Sequence, residues 1–272
     1  IITKVNITFD KIDTGVGKDG YYDFILSNKE QSGRWWKLEE DVNALFIREF
    51  YVDFDTHPRS ATFHIDRIDA PEKKTTSVSE VDEAVFRLEA MARAQDYLNL
   101  CLRMGNAFPE GDNMVREERY DQGGGQIDQR YFQARYNVKQ DEALILEWPV
   151  PKACRFWSFA LYNDYWQVLN YGNRQTHLNS GMVDLDENRL ATMVISHRDP
   201  GYQNWIDVDG HDTGILLARA KICGKATVPR MRKVSFNNLH SELPATMKKV
   251  IPMERKSQLA IRREHYLHRY SR

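Results

Sequence analysis

The chain has 272 residues, 42% apolar and 28% charged, enough to bury a core without metal or disulfide staples. Lys and Arg number 38 against 39 Asp and Glu, and the formal charge of -1 excludes a strongly basic nucleic-acid binder and an acidic disordered chain. No apolar run reaches the roughly 18 residues of a membrane span, so no membrane span is expected.

The first 70 residues read as strands. Residues 5–9 alternate apolar and polar, the glycines of 15–20 suit a turn, and 22–26, 43–54 and 60–68 follow with aromatic, β-branched or alternating patterns. Then the period changes. Val81, Ala84, Val85, Leu88, Met91, Ala92, Leu98, Cys101 and Leu102 recur at three- and four-residue spacing, predicting a helix over about 79–104 that packs one face on the core. Ser79 and Asp82 suit a capping box at its start, and Gly105 its end. Residues 106–128 read as a loop. Its run Gly123-Gly124-Gly125 lacks the spacing of a phosphate-binding motif.

Strands resume over 131–138, 143–148, 155–162, 165–171, 190–196 and 214–222, divided by short turns. Such spacing favours a sandwich over alternating βα units. A second helix over about 252–270 has Pro252 at its first position and Glu254 in its first turn. Residues 248–272 carry eight basic and two acidic side chains, a net of +6, so the rest of the chain carries -7. This tail can dock on the acidic body, on a neighbouring subunit, or lie as a solvated face. Cys101, Cys154 and Cys223 lack zinc-site spacing and read as reduced, mostly buried thiols.

One stretch gathers polar chemistry around turns. It holds Arg174, His177 and Asn179, then His197 and Asp199-Pro200-Gly201, then Asn204-Trp205, Asp207, Asp209-Gly210 and His211, with Arg219 on the strand after. Pro and Gly stand in type II order in the first turn, and Asp209-Gly210 is a hairpin-type pair. Imidazole titrates near neutrality, so His177 and His211 suit acid–base work, with Asp207 to orient a ring and Arg174 or Arg219 to hold an anion. Asn179, Asp199, Asn204, Trp205, Arg219 and His197 complete the candidate ligand-binding set. Equally, Asp and Asn cap turns and Trp205 can plug a sandwich. The histidine spacing matches no metal motif.

The pattern NRQTHLN, followed by SHRDPGYQNWIDVDGHDTGILLAR, resembles the bacterial domain-of-unknown-function family 1214, whose members often also carry family 1254. SGRWWKLEEDVNALFIREFYVDFD, DEALILEWPVPKACRFWSFALYNDYW and LPATMKKVIPMERKSQLAIRREHYLHR extend the resemblance from about Gly20 to the C-terminus. The resemblance implies a two-layer β-sandwich and an upstream segment before Ile1. It supplies no reaction, and His177 stands where family members more often have Ser.

The expected fold is mainly β: a single unit over 1–272, an antiparallel jelly-roll-like β-sandwich with one long packed helix and a C-terminal surface helix. Two functions remain open. One is a cofactor-independent lyase or hydrolase acting on an oxygenated metabolite through His, Asp and Arg. The other is a non-enzymatic ligand-binding or oligomeric assembly module. Both take a small-molecule ligand as partner and no nucleic acid, and both suit a homo-oligomer, with the cytoplasm the favoured compartment. A catalytic site requires a cleft with a carboxylate-paired, solvent-accessible His, whereas a packing role leaves these side chains buried and mutually satisfied.

Overall fold

The computed structural model describes residues 23–39, 52, 63–68, 79–106, 108, 110–118, 129–221 and 223–270. The strand expected over 5–9, the turn over 15–20, nearly all of the strand over 43–54 and the 123–125 glycine run lie outside the described residues. The chain divides into two compact units, residues 1–50 with 119–129 and residues 51–118 with 130–272. From the sequence, residues 1–272 are expected to form one.

In the first unit, β1 (Ile25–Ser27) and β2 (Trp35–Lys37) pair in parallel. Phe24 lies 4.0 Å from Trp36, and Trp35 Nε1 donates to the Ser27 carbonyl at 3.0 Å, so both indoles serve this ribbon.

The other elements are α1 (Glu80–Asn106), β3 (Arg116–Glu118), β4 (Gln129–Asn137), β5 (Glu142–Pro149), β6 (Phe156–Tyr162), β7 (His177–Asn179), β8 (Leu190–Ser196), β9 (Trp205–Asp207), β10 (Thr213–Lys221), β11 (Arg230–Ser235), α2 (Leu239–Glu242) and α3 (Pro252–Tyr270). They form a β-sandwich of a five-stranded sheet, β3-β4-β10-β6-β7, and a four-stranded sheet, β11-β5-β8-β9. β6 pairs antiparallel with β7 and β10, and β5 with β8 and β11. β8 and β9 pair in parallel, a departure from the all-antiparallel expectation.

Alternation explains the layers. Leu144, Leu146 and Trp148 of β5 face a shared core, where Trp148 meets Trp157 and Phe159 of the opposite sheet edge-on at 5.5 and 5.8 Å. Ala143 and Ile145 point the other way, onto a second cluster with Val194, Tyr202, Leu239 and Leu243. Both faces of β5 and β8 are therefore buried, which is why these strands read as near-continuous apolar runs.

Four expectations need correction. The long helix is present, with Ser79 Oγ accepting from the Asp82 amide at 3.1 Å, but it is not packed: apart from Cys101 and Leu102, residues 80–104 are exposed. Its apolar residues run all round the helix, with Phe86, Tyr97 and Leu100 off the expected stripe. Residues 165–171 form turns rather than a strand, because Asn163 Oδ1 accepts from the Tyr165 and Gln167 amides and gives the backbone a local alternative. Residues 63–68 alternate but form no strand and stay exposed.

The fourth correction concerns the thiols. Cys154 and Cys223 form a disulfide, leaving Cys101 as the free cysteine. Phe156 pairs with Lys221, so Cys154 and Cys223 sit opposite each other two positions beyond the last pair of β6 and β10. The bond spans 69 residues of sequence, and chain entropy puts its loss at about 4 kcal/mol. Cys154→Ser should lower the urea midpoint accordingly. A reductant should lower the wild-type midpoint to match and leave the variant unmoved; equal midpoints for reduced and oxidised wild type would contradict the bond's role.

Candidate functional site

The polar stretch builds two turns. Gly201 takes φ +76°, as the type II order of Asp199-Pro200-Gly201 requires, and its amide donates to Asp199 Oδ1 at 2.8 Å. Asp209 and Gly210 both have positive φ, +51° and +81°, the signature of a type I′ turn, closed by the His211 amide on the Val208 carbonyl at 2.9 Å. Here, however, the turn carries the chain from β9 in one sheet to β10 in the other.

Between the turns the side chains are committed. Asn204 is buried; its Nδ2 donates to the Asp184 and Thr192 carbonyls at 2.7 and 2.9 Å, and its Oδ1 accepts from the Asp184 amide at 2.8 Å. Trp205 Nε1 donates to Ser196 Oγ at 3.1 Å. Asn179 accepts from the Gly181 amide at 2.9 Å and donates to the Val52 carbonyl at 3.0 Å. Buried Asp207 takes Arg174 Nη2 at 2.8 Å, and Arg174 Nε reaches Asp209 at 2.9 Å. The hydrogen bond it donates to Asp207 raises the Arg174 guanidinium above its ordinary value. With two carboxylates on it, Arg174 has its charge compensated within the protein. Arg219, on β10, donates instead to Tyr162 at 3.3 Å.

The three histidines of the stretch are held by different elements. His177, at the start of β7, takes Arg262 Nη1 on Nδ1 at 2.9 Å and stands edge-on to Tyr171. The His197 side chain is buried; its Nδ1 takes Gln140 at 2.9 Å, and its Nε2 lies 3.1 Å from both the Val138 carbonyl and Asp212. His211 Nδ1 donates to the Asp209 carbonyl at 3.0 Å, and its Nε2 is the one ring nitrogen of the three histidines without a partner among the described residues. Among the described residues, no group of three or more His, Cys, Asp or Glu could hold a metal ion. No helix among them is long and apolar enough to cross a membrane.

The residues that join this stretch to the rest come from α3 and went unread in the sequence. Arg255, Gln258, Arg262 and Tyr266 recur at three- and four-residue spacing and share a helix face, the signal that could have found them. Arg255 is buried; its Nε donates to Asp199 at 2.8 Å, and its Nη1 donates to Gln175 and Gln258 at 3.0 and 2.8 Å. Its Nη2 donates to the Tyr202 carbonyl, and the guanidinium lies 5.2 Å from the Trp205 ring. Arg262 has no carboxylate partner among the described residues. Burial, with Arg255 adding to it, pulls its guanidinium down to about 10. Tyr266 packs on Tyr171 and over Gly172, where a Cβ would meet the ring at 2.7 Å. The basic tail thus docks on its own sandwich.

No protein-family model matches the chain, and no curated protein matches it. Among solved structures, an uncharacterised protein from Burkholderia cenocepacia is similar with a TM-score of 0.73 at 24% identity, over 82% of this chain and 62% of that one. The match supports the fold, and the chain spans about three-fifths of that protein's length. A protein from Vibrio parahaemolyticus aligns with a TM-score of 0.33 at 13% identity, over 59% of this chain and 47% of that one.

Two outcomes follow. Arg255→Ala takes from Asp199 its cation and from Gln175 Oε1 and Gln258 Oε1 their donor, and should cost about 3 kcal/mol of stability and open α3 to limited proteolysis; wild-type stability and protection would contradict this. The second concerns acid. Lys139, hydrogen-bonded at 3.0 Å, holds the Asp212 carboxyl below its ordinary value, with His197 adding to the pull. A carboxyl more acidic in the folded state contributes stability that is present above its unfolded value, about 4, and is lost as pH falls through its folded value. Asp212→Asn should therefore flatten the fall of the urea midpoint below about pH 4, and an unchanged slope would count against it.

Proposed function

We propose that this chain is a non-enzymatic β-sandwich module that assembles with a second copy of itself. The observation that carries this reading is the exposure of α1. Val81, Phe86, Leu88 and Met91 are 72, 68, 67 and 70% exposed on a helix of 27 residues, about 40 Å long. Val81, Leu88 and Met91 recur at helical spacing with Ala84, Val85 and Ala92, and apolar side chains left this exposed along one stripe support a contact surface. The helix is also self-complementary: Glu80, Asp82 and Glu83 fill its first turn and Arg103 its last, so an antiparallel pair sets acid against base about a two-fold axis.

The lyase or hydrolase reading draws less support from the geometry. Arg174 is balanced by Asp207 and Asp209, and His177 and His197 hold protein groups on their rings. The resemblance to family 1214 belongs to the same proposal. Its DPG-x-x-NW-x-D-x-x-GH signature falls on turn residues, on the Asn204 clamp and on Asp207, and this supports a signature that encodes architecture.

Light scattering tests the assembly. Wild type should run at twice the mass of the chain, and Leu88→Glu with Met91→Glu should run as a monomer with unchanged circular dichroism. A monomeric wild type, or a double variant that stays dimeric, would overturn it.

A further inference from the structure

Residues 201–203 and 248–250 run side by side, with the Gln203 amide on the Lys248 carbonyl and the Val250 amide on the Gly201 carbonyl, both at 2.9 Å. Beside them α2 and the following residues 243–245 frame an open surface cavity of about 480 Å³, lined by Tyr202, His240, Leu243, Pro244, Ala245 and Lys249. That volume lies within the roughly 300–1,000 Å³ of small-molecule sites. None of the residues in its lining is acidic.

Two of the polar groups of this cavity, Tyr202 and His240, are joined. Tyr202 is buried, and its hydroxyl lies 3.0 Å from His240 Nδ1. A phenol is the natural donor to a neutral imidazole nitrogen, so this bond leaves the ring proton on Nε2. His240 thus brings a fixed N–H donor to the lining. Lys249 brings an ammonium that has no carboxylate partner among the described residues. Leu243, Pro244 and Ala245 supply the apolar wall. Two nitrogen donors, one of them cationic, stand beside an apolar surface with no competing carboxylate.

We propose that this cavity is a binding site for a small monocarboxylate with an apolar body, its carboxylate on Lys249 and the His240 Nε2–H and its body against Leu243, Pro244 and the Tyr202 ring. Tyr202 positions the imidazole. The site uses no residue of α1, so it stands or falls apart from the assembly reading. It also lies outside the His177, His197 and His211 set. The charge-assisted bond sets the preference for an anion over its neutral isostere.

The test is a calorimetric and NMR titration of the full chain with benzoate and with isovalerate, using benzamide as the uncharged control. Either acid should bind saturably, with amide shifts confined to residues 202, 240–243, 245 and 249. Lys249→Ala and His240→Ala should each weaken binding about tenfold, the loss expected for one charge-assisted or buried hydrogen bond. Tyr202→Phe, which keeps the ring, should weaken binding less than either. Benzamide should not saturate. No saturable binding of either acid, binding of benzamide as tight as benzoate, or full affinity in both the Lys249 and His240 variants would overturn the site. Circular dichroism of the exposed-residue variants separates loss of binding from loss of fold.

Discussion

The guanidinium of Arg255 holds together parts of the chain that lie more than 50 residues apart in sequence. It reaches Asp199 in the type II turn, Gln175 ahead of β7, the Tyr202 carbonyl and Gln258 on its own helix, and it lies against Trp205. Removing so large a cation from water is costly, and only a full set of partners offsets it. Each donor direction is answered by an oxygen, which fixes the rotation of α3 about its axis. Once α3 is placed, Arg262 falls on His177, Tyr266 on Gly172, and residues 248–250 beside residues 201–203.

This constraint changes the meaning of the polar stretch. Asp, Asn, His and Arg gathered in turns look like the makings of acid–base chemistry. In the fold, Asn204 clamps the 184 turn to β8, Asp207 anchors Arg174 and the Asp209 amide, and Asp199 takes Arg255. These are groups spent on each other. Arg262 is different: a buried cation facing an imidazole, a carbonyl and a thioether. Its depressed value records the cost of that position, borne by the rest of the seam.

Periodicity made much of the fold legible. β4, β5, β6, β8 and β10 announce themselves by apolar residues, and α3 by its Pro252 start, where Glu254 reaches back to the Ile251 amide at 3.0 Å. β3, β7 and β9 are three residues each, too short to carry a period, and β11 reads as charged because it closes a sheet edge. Turn chemistry was legible at Gly201 and at Asp209-Gly210, since positive φ has few residues to choose from. The partners of those turns were not. Arg255 meets Asp199 across 56 positions of sequence and Arg262 meets His177 across 85, and nothing local encodes such a meeting. The disulfide is hidden for the same reason, since it follows from the register of β6 on β10.

The central claim is that Arg255 and Asp199 are energetically joined as the clamp of the C-terminal helix. A double-mutant cycle on Arg255→Met and Asp199→Asn, read by urea denaturation, measures it. Contacting charged groups in one network should show a coupling energy of about 1 kcal/mol or more. Additive losses, with coupling indistinguishable from zero, would contradict the claim.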